Sequence, residues 1–325
     1  MFVAILRRTS LVVLAFAMVG CDGLNGAGTN AGTLGTTSAI AGMPLAKVRP
    51  DKLCSNQQPD LIPESKANKY LFVSETQSST VDVYGLKARK LVKSITNGIS
   101  YPLGVAVDKS GVLYVVNQPS GSTDTVTEYA PGSSTPELTL DTGVTAAIGV
   151  GVDSSGTVYV DNNYPAEMLE FAAGSKTPTK TFDLSLAAPW GLAIDTNNNA
   201  YVVDLGGAIW EFSPGSTTGQ NLGLLSLSEP NGLAVDAKGN LYVSTYAGSQ
   251  GEVLIYPHEA ASPVCTITQG ISNPALLAVS AHGTTYVTNG TPPGTVTSYL
   301  PGQTMPRWTL SGISDPFGIA LGPKK

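Results

Sequence analysis

A unit of about 42 residues recurs six times along the chain, and no other feature limits the possible folds so tightly. Its first landmark is Pro-x-Gly, then alternating small and apolar residues, then Asp and a Gly- or Asn-containing turn. The six copies read YPLGVAVDKSG, AAIGVGVDSSG, APWGLAIDTNNN, EPNGLAVDAKGN, NPALLAVSAHG and DPFGIALGPKK. The second landmark is a Tyr-Val pair after that turn, at Tyr114, Tyr159, Tyr201, Tyr242 and Tyr286, with Phe72-Val73 in the first copy. From Phe72 onward the spacings are 42, 45, 42, 41 and 44. A third landmark is an apolar residue three before an aromatic, as in Val81/Tyr84, Val126/Tyr129, Met168/Phe171, Ile209/Phe212, Val253/Tyr256 and Val296/Tyr299.

Each unit therefore offers four short runs of period two separated by turn chemistry, the pattern of β-strands, and none contains an amphipathic helix. Four strands cannot bury both faces of their own sheet. Six copies stacked radially do so against one another, which predicts an all-β, six-bladed β-propeller of four-stranded antiparallel blades. The phase of the repeat adds a detail. The domain begins on a second strand near Tyr70 and ends on an isolated first strand, 318–322, so one blade is expected to combine both termini. Pairing the C-terminal strand with the N-terminal strands leaves no open edge in the ring.

The repeated Pro-x-Gly-[Val/Leu/Ile]-Ala-[Val/Ile]-Asp-x-x-Gly-x-Leu-Tyr-Val pattern resembles the NHL repeat of six-bladed, TolB-like propellers over residues 68–322. That superfamily includes lyases, lactonases and pure binding modules, so the resemblance implies a fold and leaves the function open.

The N-terminus carries an address. Arg7 and Arg8 precede an apolar run from Leu11 to Val19, followed by Gly20 and Cys21, the order of an export signal. The run is too short for a spanning helix, which needs about 20 apolar residues. Met18-Val19-Gly20-Cys21 resembles the lipobox of bacterial lipoproteins, which implies a signal peptide over 1–20 and lipidation of Cys21; the alternative is an ordinary cleaved signal. Removing residues 1–20 leaves 16 basic and 24 acidic residues, a net charge of −8. The expected membrane contact is the lipid anchor alone, since several acyl chains on one cysteine hold firmly. Residues 21–44 have the Gly/Ala/Thr-rich composition of a flexible tether, and 45–67 read as an extended lead-in.

Composition excludes several functions. A net charge of −6 over the full chain, with most negative stretches diluted by Ser, Thr and Asn, argues against nucleic acid as a partner. Three Cys and two His, with no Cys-x-x-Cys pair, are too few for a zinc ribbon. No Gly-x-Ser-x-Gly elbow or phosphate loop is present.

Propeller ligands gather at the mouth of the central channel. The x of each Pro-x-Gly gives a first ring: Leu103, Ile148, Trp190, Asn231, Ala275 and Phe317. Its apolar members either stack on a sugar or peptide or plug the channel. In the similar gluconolactonase and senescence-marker lactonase family, side chains of this ring hold a divalent cation, and only Asn231 matches. Three residues after each tyrosine of the Tyr-Val pair lies a second ring: Glu75, Asn117, Asn162, Asp204, Thr245 and Asn289, with Asp161 beside it. These side chains either bind a polyol or Ca²⁺ or bond the turn backbone. The strand-ending acids Asp108, Asp153, Asp195 and Asp236 are expected to close hairpins. His258 and His282 fall away from the predicted axis, and the axial His of the similar streptogramin lyases has no counterpart. Cys54 and Cys265 are either a disulfide or two free thiols.

The expected role is a non-catalytic binding or interaction scaffold, exported and lipid-anchored at the bacterial cell envelope. It would be a monomer, without cofactor or metal, recognising a protein, peptide or saccharide at the channel mouth and adjoining loops. The rival is a metal-dependent, gluconolactonase-like hydrolase or a lyase using Asn231, Asp204 and Glu75.

Overall fold

The computed structural model describes Cys54 and residues 68–323 apart from 185 and 247–249. Cys21, the export signal and the tether lie outside the described residues. The described strands form six four-stranded antiparallel sheets, with no helix among the described residues. We number the sheets as blades I to VI, spanning 102–141, 147–183, 189–221, 230–267, 274–313, and 316–323 with 68–95.

Blade I shows the plan. Pro102–Val107 is innermost, followed outward by Leu113–Asn117, Thr125–Tyr129 and Leu138–Asp141. The innermost strands of the other blades are Ala147–Val152, Pro189–Ile194, Pro230–Val235, Pro274–Val279 and Pro316–Pro323, and each neighbours the next around a closed circle. The period-two pattern turns successive side chains to opposite faces of a blade. Ala106 packs toward blade II, whereas Val105 and Val107 pack toward blade VI; Leu103 also packs toward blade II because a register shift falls between Pro102 and Val105. The core consequently divides into six clusters, one between each pair of neighbouring blades.

The glycine of Pro-x-Gly is required by close approach. A Cβ at Gly104 would lie 2.5 Å from the carbonyl oxygen of Ile148, and one at Gly232 would lie 2.9 Å from that of Ala275. The same position in blade V holds Leu276, whose Cδ2 lies 3.0 Å from where a Cβ on Gly232 would stand and 3.6 Å from one on Gly191. That side chain therefore reaches past blade IV toward blade III below the mouth.

The ring closes through both termini, as the phase of the repeat predicts. Ile319 pairs with Val73, Ala320 with Phe72 and Leu321 with Leu71. A disulfide joins Cys54 to Cys265 on the outermost strand of blade IV, with the Cα atoms 5.1 Å apart.

Candidate functional site at the channel mouth

The mouth lies where each innermost strand begins and each second strand ends, because antiparallel pairing puts Asn162 opposite Ala147 and Thr245 opposite Pro230. The first ring is packed at that opening. Leu103, Ile148, Asn231 and Ala275 are buried, while Trp190 and Phe317 are half-buried against the cluster that holds Leu103 and Ile148. The apolar members therefore share one packed lid. Asn231 turns its amide sideways, donating from Nδ2 to the carbonyl of Pro274 in the next blade at 2.6 Å. Below the lid, inner strands from all six blades line a cavity of about 220 Å³.

The second ring is buried throughout, and its side chains bond chiefly to backbone. Asn117 Oδ1 accepts from the Ser100 N–H at 3.0 Å and Asn289 Oδ1 from the Ser272 N–H at 3.0 Å. Asn162 Oδ1 accepts from the Ala146 N–H at 3.2 Å, while Asp204 accepts from the N–H groups of Ala188 and Gly206 at 3.1 and 3.0 Å. Glu75 Oε2 accepts from the Ser314 N–H at 3.1 Å. Each of these side chains holds the segment that feeds the innermost strand of its own blade, and Asp204 also holds the turn that follows it. Thr245 is fully buried at the same level.

Two further sets of side chains tie neighbouring blades together, and they were not singled out as such in the sequence. Thr76, Gln118 and Asn163 donate to the first carbonyl of the next innermost strand, that of Pro102, Ala147 and Pro189, at 3.0, 2.8 and 3.1 Å. One level lower, Ser74, Ser244 and Thr288 donate to the carbonyls of Leu103, Ala275 and Phe317 at 2.6, 2.7 and 2.8 Å. Blade II has Asp161 at this lower level. Its Oδ1 accepts from the Gly149 N–H, and its buried Oδ2 has no partner. The signal for these latches is the recurrence of Ser and Thr just before the second ring, obscured by Val116 and Val203 in the other two copies.

Three carboxylates near the mouth, Asp161, Asp124 and Glu75, share one electrostatic condition. Burial pushes Asp161 up to about 7 and Asp124 up to about 6, the latter partly offset by the Ala147 N–H. Glu75 is also raised, first by burial and then by its hydrogen bond to Asp82. No Lys or Arg stands in the hairpins 76–79, 118–124, 163–166, 205–207, 246–251 and 290–293. Among the described residues, no three His, Cys, Asp or Glu side chains are grouped to hold a metal ion.

The hairpin acids lie at the other end of the channel. Asp236 Oδ1 accepts from the N–H groups of Lys238 and Asn240 at 2.9 and 3.0 Å, and Asp108, Asp153 and Asp195 close equivalent turns. His258 lies in the turn after Tyr256, where it forms a 3.7 Å pair with Glu259, and His282 occupies the blade V hairpin. The loops at the mouth expose two aromatic side chains that the repeat does not specify, Tyr164 at 81% and Tyr246 at 40%.

No protein-family model matches the chain, and no curated protein matches it. Among solved structures it is similar to a protein of unknown function from Bacteroides caccae, with a TM-score of 0.59 and 14% identity over 79% of this chain and 99% of that one. At that identity the likeness concerns the fold, that of a β-propeller.

Proposed function

We propose that the chain is a non-catalytic binding scaffold of the bacterial cell envelope, an NHL-like, TolB-like propeller carried on a lipidated Cys21. Its ligand sits on the lid formed by Leu103, Ile148, Trp190 and Phe317 and is held by the loops around it. The observation that carries this reading is the union of half-buried Trp190 and Phe317 with exposed Tyr164 and Tyr246 at one end of a rigid ring. Aromatic faces amid polar loops without Lys or Arg suit a saccharide or an extended peptide. Hydrolysis is less well supported because Asn231, Asp204 and Glu75 are each committed to backbone partners of their own or the next blade.

Titrating the protein with envelope-derived saccharides and peptides while following Trp fluorescence tests the reading. A ligand that changes the emission should bind at least tenfold more weakly to a Trp190→Ala, Phe317→Ala variant and to a Tyr164→Ala, Tyr246→Ala variant. Unchanged affinity in both variants would remove the mouth as the binding surface. Mass spectrometry of the membrane-extracted protein tests acylation of Cys21 separately.

A further inference from the structure

We propose that the outer corner of blade VI, at the end of the propeller opposite the mouth, docks on an anionic lipid bilayer. The inference rests on the envelope location given above and adds a second membrane contact to the acyl anchor. Between residues 68 and 323 there are ten Lys and Arg, and six of them fall in 69–109: Lys69, Lys87, Arg89, Lys90, Lys93 and Lys109. The fold gathers the first four at one corner. The Leu86 N–H donates to the Lys69 carbonyl at 3.0 Å, the Arg89 N–H donates to the Gly85 carbonyl at 2.7 Å, and Gly85 pairs with Lys90.

Lys69 and residues 87–92 are all exposed. Lys69, Lys87, Arg89 and Lys90 have no described carboxylate at salt-bridge distance. Glu75 and Asp82, the nearest acids in sequence among the described residues, are buried.

Apolar side chains complete the patch. Leu91 is 52% exposed and Val92 57%, an unusual pair of neighbours to face water. The cause is a β-bulge: Val83 pairs with Lys93 and Tyr84 with Leu91, which leaves Val92 as the extra residue. Beside Val92 an apolar groove of about 200 Å³ opens between blades VI and I, floored by Tyr70, Phe72, Val83, Ile95 and Tyr129. At its rim Lys93 Nζ donates to the carbonyls of Gly132 and Ser133 at 2.9 and 2.7 Å. A basic corner flanking exposed Leu and Val matches an anionic interface, where cations meet headgroups and apolar side chains enter the acyl boundary.

The propeller as a whole is acidic, with 10 basic and 20 acidic residues in 68–323. At about 0.15 M salt a Debye length of roughly 8 Å confines the interaction to the surface in contact, so the local patch governs it. The patch gives the anchored propeller a preferred face toward the bilayer.

The test uses residues 22–325, which keep every described residue and leave out Cys21 and the apolar run, so that failure of the acylation reading does not affect it. Co-sedimentation at 0.15 M salt compares vesicles of phosphatidylcholine with vesicles containing 30% phosphatidylglycerol. The protein is expected to pellet with the anionic vesicles only and to be released at high salt. Each neutralised cation should lower partitioning about fivefold. Lys87→Glu, Arg89→Glu, Lys90→Glu should abolish binding, Leu91→Ser, Val92→Ser should weaken it, and Lys238→Glu in the blade IV hairpin should leave it unchanged. All sites are exposed or half-exposed, and circular dichroism melts verify folding. No pelleting with anionic vesicles, or an equal loss with Lys238→Glu and the triple variant, would overturn the proposal.

Discussion

Asp161 shows how one atom can set the behaviour of a residue. At the level where Ser74, Ser244 and Thr288 donate a hydroxyl proton to the next blade, blade II offers a carboxyl whose Oδ2 has no partner. An ionised carboxylate cannot donate, and burying it without compensation is costly. The elements packed around it supply no cation: Pro189–Ile194 has no titratable side chain, while Glu167, Glu170, Tyr201 and Asp204 lie on the flanking strands. Burial accordingly raises the folded-state pKa to about 7, well above the ordinary aspartate range. The neutral form is favoured in the folded protein, so its stability is fullest below about pH 4, falls as the pH rises toward 7 and then levels. Linkage makes this fall on the order of 4 kcal/mol at most. Asp124 and Glu75 act in the same direction, so the measurement is a difference between variants. Asp161→Asn, which offers an amide donor, should flatten the curve and make the variant more stable than the wild type at pH 8 in urea melts. An identical pH dependence in the two proteins would refute the assignment. Glycine at the strand starts is a second atomic constraint. Gly104→Ala drives a methyl against the Ile148 carbonyl and should cost about 2 kcal/mol.

At the scale of the element, the hairpin between first and second strands has the clearest link from sequence to structure. An Asp two residues before a donor N–H and four before another needs no help from the rest of the fold, which is why the Asp-x-x-Gly turns were legible. Asp236 goes further: its Oδ2 also accepts from Asn240 Nδ2 at 2.8 Å and from the Tyr242 hydroxyl at 3.3 Å. Asp236→Ala leaves these donors unpaired in a buried turn and should cost about 2 to 3 kcal/mol, against about 1 kcal/mol for Asp108→Ala in a more open hairpin. Thermal melts of both variants, with hydrogen exchange at 238–240, measure the difference. Strands with period-two patterning were legible for the same local reason. The outermost strands were less so: blade III retains only Gln220–Asn221 there, and neither the Tyr-Val pair nor the third landmark extends that far. The roles of the mouth side chains were not fixed by local pattern either. Whether Asn231 faces a ligand or a neighbour depends on where the Pro274 carbonyl stands, and that atom is supplied by another blade.

On the scale of the whole molecule, each blade depends on the two beside it, and the ring is held at the one blade whose strands come from both ends of the chain. The disulfide adds a second long-range tie: it spans 211 positions, and removing it by Cys265→Ser should cost at most roughly 5 kcal/mol by loop entropy. The pairing of Pro316–Pro323 with Asn68–Glu75 matters more, because it completes the cores on both sides of blade VI. Around it the Thr76 N–H donates to the Asp315 carbonyl at 3.1 Å and the Gly318 N–H to Ser74 Oγ at 2.7 Å, so closure fixes the mouth and the channel together. Deleting 316–325 exposes the inner edge of Asn68–Glu75 and removes Ile319 and Ala320 from the adjoining clusters. The truncated chain should lose its single cooperative melt and associate through the open edge. A circular permutant that joins residues 68 and 323 through a short linker and opens the exposed turn at 132–133 keeps every blade and the closing pair, and should melt cooperatively. Calorimetry and sedimentation distinguish the two, and a cooperative, monomeric truncation would show that five complete blades hold the ring without the sixth.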